Sequence, residues 1–365
     1  MILKVKNIIS ELEKLAPKYF QDSYDNAGLI VGSPEIQTSS AVLCFDVTED
    51  VVNEAIERGS GLIVSHHPVI FEGLKKINGT GATERIIIKA IQNNIAIYAS
   101  HTNLDSVRGG INTVLAEKLG LSDIKILVPK EKILYKIVTF VPPSHAEKLR
   151  TAMFDAGAGH IGNYDSCSYS IEGTGTFRGG ENTNPFIGKK NVINSEHEIK
   201  IETVAIKENL KEIIAALIRS HPYEEPAYDV YLLENKMENA GIGAVGILPC
   251  EMEAVEFLSV IREKLSAKII RHNALYKKVK NVAVCGGSGA GFINEAIAAN
   301  ADIFVTGDCK YHHFLEFTNR IILADVGHYE SESFASEIFC NVIRKNFPNF
   351  AVYLSQGNLN PVQYF

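Results

Sequence analysis

The sequence lacks several features that would assign it to a common protein class. No uninterrupted apolar run approaches 18 residues, so no membrane-spanning helix is predicted. The first residues have neither the apolar core nor the small-residue cleavage site of a secretory signal, and we therefore expect a cytoplasmic protein. The six cysteines contain no Cys-x-x-Cys pair, which argues against a zinc ribbon and a thioredoxin-like motif. A formal net charge of -7 argues against nucleic-acid binding through a positive field.

The composition is that of a folded globular protein. Of the 365 residues, 46% are hydrophobic and 22% are charged. No low-complexity segment or long run of like charge interrupts the chain, so disorder is not expected. This length is enough for two or three domains, each able to bury a core.

The two outer thirds of the chain alternate short apolar strands with helices. In the first third, the predicted strands are 41–46, 61–65 and 95–100, and the predicted helices are 50–58, 85–92 and 111–119. In the last third, the strands are 281–285, 302–306, 321–325 and 350–354, and the helices are 292–300, 313–317 and 333–345. This alternation indicates an α/β fold with a largely parallel sheet covered on both faces.

The middle of the chain has a different order of elements. It contains strand 135–141, helix 146–156, a glycine-rich hairpin at 166–180, strand 198–205, helix 210–220 and strand 227–233. This is the ferredoxin-like order of an α+β domain. We therefore predict a small domain at 131–235, inserted into a larger domain that comprises 1–130 and 236–365.

Histidines and carboxylates follow three of the predicted strands at the point where each strand ends. The pairs in question are His66 and His67, His101 and Asp105, and His328 and Glu332. In parallel sheets, ligands bind outside the carboxyl ends of the strands, so three such ends can meet at one crevice. Imidazole and carboxylate without thiolate are the ligand types of hydrolytic zinc, manganese or iron sites.

The spacing of these residues favours two metal ions. His328 and Glu332 are four positions apart and would point to the same side of a helix that begins there. His66 and His67 are adjacent, and on extended backbone their side chains would diverge, which is simplest if each binds a different ion. A carboxylate such as Glu332 can bridge two ions about 3.5–4 Å apart.

Other polar residues near strand ends leave alternatives open. His101 could support a metal ligand or act as an acid–base group. His312 and His313 also follow a predicted strand, and solvated loop side chains are an equal alternative for them. The glycines at 286–291 join a strand to a helix, but they match neither a dinucleotide-binding nor a phosphate-loop motif. A tight turn is the simpler interpretation of this loop, and anion binding is the alternative.

Five separated segments together resemble the GTP cyclohydrolase I type 2 homologue family, also called Nif-three-like proteins. The segments are Tyr24-Asp-Asn-Ala-Gly-Leu-Ile-Val-Gly32, Ser65-His-His-Pro68, His101-Thr-Asn-Leu-Asp105, Thr306-Gly-Asp308 with Tyr311-His312, and Gly327-His-Tyr-Glu-Ser-Glu332. The segments occur in the same order as in the family. They are distributed over the two outer parts of the sequence, which together make up about two thirds of the chain. Tyr24 is a departure, because the family commonly has tryptophan there; this concerns packing and not metal binding.

The resemblance implies a two-lobed Nif-three-like α/β domain with a dinuclear metal centre. The ligands it implies are His66, His67, Asp105, His328 and Glu332. Two divalent ions per chain are expected, with zinc first and manganese or iron as alternatives. A toroidal homohexamer with the metal sites facing an internal cavity is also implied. The middle segment, with 156–164 and 221–226, is similar to the CutA/PII-like insert of longer bacterial members.

The activity implied by the resemblance is a GTP cyclohydrolase-like hydrolysis. Water would attack C8 of the guanine imidazole ring, the ring would open and formate would leave, while His101 or His312 moves protons. Lys310 is a candidate partner of the triphosphate. A dinuclear phosphoesterase fits the same ligands, and a metal-binding regulatory or interaction protein without turnover is the competing class. A nucleotide or another small molecule is the expected substrate.

Overall fold

The structure is a computed structural model that describes residues 1–273, 277–357 and 360–364. The chain divides into two compact units, of which the first comprises Met1–Pro129 and Glu238–Phe365. The second unit is Lys130–Met237. Within the described parts of the chain, none of the helices has both the length and the hydropathy of a membrane-spanning segment.

The elements of the first unit lie on either side of the second unit in the sequence. Its N-terminal part contains β1 (Leu3–Lys4), α1 (Val5–Leu15), β2 (Gly28–Val31), β3 (Gln37–Thr38), β4 (Ser40–Cys44), α2 (Glu49–Glu57), β5 (Leu62–Ser65), α3 (Ala82–Gln92), β6 (Ala96–Ala99), α4 (Thr102–Asp105), α5 (Ile111–Lys118) and β7 (Ser122–Lys130). The second unit follows with β8 (Leu134–Val141), α6 (Pro143–Asp155), β9 (Ser168–Phe177), β10 (Asn194–Ile206), α7 (Leu210–Ser220) and β11 (Tyr228–Leu232). The C-terminal part of the first unit contains β12 (Met237–Glu253), α8 (Ala254–Lys264), β13 (Arg271–His272), β14 (Lys278–Val284), α9 (Ile293–Ala298), β15 (Ile303–Thr306), α10 (Tyr311–Glu316), β16 (Ile322–Asp325), α11 (His328–Glu332), α12 (Ala335–Asn346) and β17 (Ala351–Leu354).

The first sheet has five strands in the order β17-β4-β5-β6-β2. His66 and His67 follow its strand β5, and His101 and Asp105 follow its strand β6. Strands β17, β4, β5 and β6 run parallel, and β2 is antiparallel to β6. Every residue of β4, β5 and β6 is buried, as expected of parallel strands covered on both faces. Helices α2 and α3 contribute Val52 and Ile87 to the core cluster that also holds Ile63 and Ile97. The carboxyl ends of β5 and β6 are thereby fixed side by side.

A six-stranded sheet in the order β13-β16-β15-β14-β12-β7 carries the remaining candidate residues. Strands β14, β15 and β16 are parallel, whereas β13 pairs antiparallel with β16 and β12 pairs antiparallel with β14. The prediction of a largely parallel sheet is confirmed for the five-stranded sheet, whereas the six-stranded sheet is mixed. Each sheet keeps a parallel centre, which is the part that the βαβ alternation indicated.

The second unit is a four-stranded antiparallel sheet in the order β11-β8-β10-β9 with two helices. Helices α6 and α7 bury Leu149 and Leu217 against Ile137 and Ile201 of the sheet. The sequence of elements, β-α-β-β-α-β, is the one predicted for the middle of the chain.

The predicted hairpin at 166–180 is wrong, because this segment forms the single strand β9, which pairs antiparallel with β10. Its glycines are not turn residues. A Cβ at Gly175 would collide with the carboxylate of Glu198 on the neighbouring strand. Glycine at this position leaves room for the Glu198 side chain to lie across the strand.

Candidate metal centre

Three strand ends bring the candidate ligands together in the first unit. His66 and His67 follow β5, Asp105 ends the short helix α4 after β6, and α11 after β16 begins at His328 and ends at Glu332. Glu332 Oε2 lies 3.6 Å from His66 Nε2, 3.7 Å from His67 Nε2 and 3.0 Å from His328 Nε2. Asp105 Oδ1 lies 3.6 Å from His66 Nε2. The structure therefore collects the other four residues around the Glu332 carboxylate.

The predicted helical spacing of His328 and Glu332 is confirmed, but the predicted divergence of His66 and His67 is wrong. The backbone N–H groups of both histidines donate to the Phe45 carbonyl at 3.1 Å. Their ring centroids are only 5.0 Å apart. This bend at the end of β5 turns both rings toward the same cluster.

The ligand atoms form overlapping groups of three within 4.8 Å of one another. One group is His66, Asp105 and Glu332, and another is His67, His328 and Glu332. A third group joins His66 and His67 to His101. Because Glu332 belongs to the first two groups, its carboxylate is placed where two ions could share it.

Three buried atoms of this cluster have no hydrogen-bond partner among the described residues. They are His66 Nε2, Asp105 Oδ1 and Glu332 Oε2. An unsatisfied buried polar group costs about 1–3 kcal/mol, and native structures rarely leave one without a reason such as a bound ion. Two anionic oxygens and an imidazole nitrogen that converge in this way fit a divalent cation.

Each histidine of the cluster is held through its Nδ1 atom. The acceptors of these hydrogen bonds are the Ser100 carbonyl for His66 (2.9 Å), Asp46 for His67 (2.8 Å), Asp25 for His101 (2.8 Å) and Asp308 for His328 (2.7 Å). Such bonds fix the ring orientation and leave Nε2 as the nitrogen available to a metal ion, as is usual for metal-binding histidines. Sequence reasoning missed these three aspartates. Asp46 ends a predicted strand, and Asp25 and Asp308 lie within the family-like segments. These positions could have marked the three aspartates as candidate site residues.

The charges of the cluster favour positive charge at its centre. Burial opposes protonation of His67 and His328, but hydrogen bonds and the charges of Glu332 and the supporting aspartates raise the pKa of His67 to about 10 and that of His328 to about 9. Despite burial, the proximity of His328, His66 and His67 to its carboxylate lowers the pKa of Glu332. Burial and the Glu332 charge raise the pKa of Asp105. Two carboxyl groups that are buried this close together repel each other when both are ionised, and a bound cation would compensate their charge.

The glycine loop after β14 packs against Glu332. A Cβ at Gly287, where φ is +57°, would lie 2.5 Å from Glu332 Oε1, and one at Gly286 would lie 2.9 Å from its Cγ. The loop N–H groups are already engaged, because those of Gly286, Gly287 and Gly289 donate to side-chain oxygens of Asn112, Ser331 and Thr306. The tight-turn interpretation of the loop therefore fits the structure better than phosphate binding.

The two candidate acid–base histidines occupy different positions. The His101 ring lies 5.4 Å from the His66 ring and 5.1 Å from the His67 ring. His312 is exposed on α10, where its ring contacts Tyr311 at 5.5 Å, and it belongs to none of the ligand groups found among the described residues. Lys310 is also exposed and precedes α10.

A cavity of about 640 Å³ opens beside the cluster. His67 and His328 lie in its wall together with Asp308. The wall also contains the carboxyl side chains of Asp46, Asp325 and Glu330 and several aromatic and aliphatic side chains, and Arg271 is the one guanidinium among the described lining residues. Cavities of this volume are typical of small-molecule sites.

Comparison with known proteins identifies the family. The profile of the Duf34/NIF3 (NGG1p interacting factor 3) family matches residues 3–361. A protein of Halalkalibacterium halodurans named GTP cyclohydrolase 1 type 2 homolog is 42% identical over 315 residues, 85% of each chain. One of the same name from Bacillus subtilis is 38% identical over 369 residues, 98% of each chain. The crystal structure of a Bacillus cereus protein related to NIF3 is similar with a TM-score of 0.81 and 38% identity over the whole of both chains. The resemblance seen in the sequence motifs is thus confirmed, and the chain belongs to the Duf34/NIF3 family.

Proposed function

We propose that the protein is a metal-dependent hydrolase that acts on a small molecule through two divalent ions, with zinc as the first metal to test. One ion would be held by His66, Asp105 and Glu332, and the other by His67, His328 and Glu332. The observation that carries this proposal is the convergence of buried, unpartnered atoms of His66, Asp105 and Glu332. When bound, such ions supply Lewis acidity and a hydrolytic nucleophile at neutral pH.

We assign proton transfer to His101. Its Nδ1 donates to the fully buried side chain of Asp25, and its ring lies beside the rings of His66 and His67. Thr102 also donates to Asp25, through its N–H at 3.0 Å and its hydroxyl at 2.5 Å. Although burial raises it, these hydrogen bonds hold the pKa of Asp25 at about 2. Asp25 therefore stays anionic and keeps the imidazole oriented while His101 accepts or donates a proton at Nε2.

GTP is the first substrate to test, because the relatives above carry the name GTP cyclohydrolase 1 type 2 homolog. In the proposed reaction water adds at C8 of the guanine imidazole ring, the ring opens, and a second hydrolysis releases formate. The cavity beside the cluster is large enough for a small-molecule substrate. Its wall includes Phe45 and Tyr329, whose rings lie 5.4 Å apart and offer aromatic surface to a planar base.

The metal centre is tested by measuring zinc per chain after dialysis, for the wild type and for His66→Ala and Glu332→Ala. We expect about two ions in the wild type, one or fewer in His66→Ala and none in Glu332→Ala, because both ligand groups use Glu332. His312→Ala is the matched control, since this exposed histidine belongs to neither group. Equal zinc content in all four proteins would contradict the proposed centre.

The activity is tested by assaying formate and phosphate release from GTP with the same preparations. Formate release that falls by about 10²–10⁴-fold in His101→Ala, with zinc retained, supports the assigned proton transfer. Phosphate without formate would identify a phosphoesterase. Zinc binding with neither product, and no difference between the wild type and His101→Ala, would favour a metal-binding regulatory protein instead.

We further propose that residues 131–235 form a CutA/PII-like insert and that the chain assembles as a homohexamer in the cytoplasm. The β-α-β-β-α-β order of the second unit supports the first part of this proposal. Light scattering of the intact protein measures the molar mass directly. A mass of six chains is expected, and a monomer would contradict the proposed assembly.

A further inference from the structure

The guanidinium group of Arg271 is hydrogen-bonded through one of its nitrogen atoms, while its other nitrogen atoms are available to a ligand. Its Nη2 donates to the Cys309 carbonyl at 2.9 Å and forms a close ion pair with Asp325 Oδ2. Its side chain is nevertheless 56% exposed and lines the cavity beside the metal centre. Among the described residues, its Nε and Nη1 atoms have no hydrogen-bond partner. A guanidinium has five N–H donors, so an edge able to bind an oxyanion remains available.

The anchor of Arg271 is rigid. Asp325 is buried at the end of β16, and its carboxylate also accepts the backbone N–H of Cys309 at 2.8 Å and of Gly327 at 3.0 Å. Arg271 pairs with Asp325 across the antiparallel strands β13 and β16. The Phe314 ring lies 5.6 Å from the guanidinium carbon. An arginine that is already ordered loses little conformational entropy when it binds a ligand.

The position of Arg271 connects it with the metal centre. His67 and His328 line the same cavity, and so do Tyr329 and Tyr364. A ligand whose reacting part lies at the histidines could place a planar or apolar part against these rings. A charged end of that ligand would then reach Arg271. Neither Lys310 nor any of the glycines at 286–291 is among the described residues that line this cavity.

We propose that Arg271 forms an anion subsite that binds a phosphate or carboxylate group of the substrate. This inference rests on the proposed function, because it assigns the opposite end of the substrate to the metal centre. It replaces Lys310 as the cationic partner considered from the sequence. Arg271 contacts the non-reacting end of the substrate and sets specificity for anionic substrates.

The test uses isothermal titration of the zinc-loaded, full-length protein with inorganic phosphate and, separately, with acetate. The variants are Arg271→Met, which removes the charge, and Arg271→Lys, which keeps the charge but removes the paired N–H donors of the guanidinium. Arg271→Lys also serves as a second variant in case Arg271→Met does not fold. Arg320→Met is the matched control, because the Arg320 guanidinium also lies over a phenylalanine ring, at 5.3 Å from Phe317, but outside the cavity.

We expect Arg271→Met to weaken binding of one of the two anions at least tenfold, Arg271→Lys to weaken it less, and Arg320→Met to match the wild type. Loss for phosphate alone assigns the subsite to phosphate, and loss for acetate assigns it to carboxylates. Unchanged binding of both anions in Arg271→Met, or no binding of either by the wild type, overturns the inference. Zinc content is measured in parallel. Arg271-dependent binding without zinc uptake contradicts only the proposed function, and zinc uptake with Arg271-independent binding contradicts only the anion subsite.

Discussion

Replacing Asp105 by asparagine should change stability in opposite directions in the absence and presence of zinc. Asp105 is buried close to Glu332, and its Oδ1 atom has no hydrogen-bond partner among the described residues. Burial and the charge of Glu332 both disfavour its ionised form. In the metal-free protein at pH 7, replacing this carboxyl group by an uncharged amide should therefore raise the free energy of unfolding, by about 1 kcal/mol.

With zinc present, the same substitution removes a proposed ligand of one ion but leaves the group of His67, His328 and Glu332 intact. A ligand at about a hundredfold excess over its dissociation constant stabilises the folded state by about 2.7 kcal/mol per site. For a unit of this size, about 1 kcal/mol corresponds to about 2–4 °C in Tm. The variant should thus lose about 5–11 °C of the zinc-induced rise in Tm, which is about half of the rise.

The assay is thermal unfolding followed by circular dichroism, with and without zinc, for wild type, Asp105→Asn and Glu332→Gln. Glu332→Gln should lose the zinc-induced rise altogether, because its carboxylate belongs to both ligand groups. Glu57→Gln on the surface of α2 is the control and should behave as wild type. A full zinc-induced rise in Asp105→Asn would refute the reasoning, and so would marked destabilisation of its metal-free form.

Two further substitutions test the support of the cluster. Asp308→Asn weakens the hydrogen bond that orients the His328 ring, and zinc affinity measured by competition with a chelator should fall about 10–100-fold while the stoichiometry is unchanged; an unaltered affinity would contradict this. Gly287→Ala should displace Glu332 and lower both zinc content and Tm, since the new Cβ would lie 2.5 Å from Glu332 Oε1. Gly59→Ala is its control, because φ is also positive there but nothing lies within 4 Å, so only a backbone cost of about 1–2 kcal/mol is expected; an equal loss of zinc in both variants would refute the packing argument.

The strands that carry the site could be predicted because they are buried on both faces. The predicted strands 61–65 and 95–100 correspond to β5 (Leu62–Ser65) and β6 (Ala96–Ala99), whose apolar runs end where polar residues begin. By contrast, the 17-residue strand β12 was not predicted. It contains several glycines, and a Cβ at Gly241 would collide with the Val128 carbonyl. Its glycines reflect close approach to a distant segment, which local periodicity does not report.

Which aspartates hold the histidine rings also could not be predicted from local sequence patterns. The metal-ligand candidates follow strands directly, so their convergence could be inferred from the rule that parallel strands end at one edge. The partner of His101 is Asp25, 76 positions earlier, and the partner of His67 is Asp46, 21 positions earlier. No helical or extended spacing relates such pairs. Their pairing depends on how the loop before β2 and the end of β4 fold over the site, which is a tertiary property.

The glycine loop at 286–291 explains why a glycine-rich turn is ambiguous in a sequence. Glycines that let a phosphate approach the backbone and glycines that let a side-chain carboxylate approach it meet the same steric requirement, the absence of a Cβ. Here the group that approaches is Glu332, whose Oε1 occupies the space beside Gly287. Phosphate loops bind through free N–H groups, whereas the N–H groups of Gly286 and Gly287 donate to Asn112 and Ser331. The loop therefore acts on the site indirectly, because it fixes one oxygen of Glu332 and leaves the other, Oε2, directed at the three histidines.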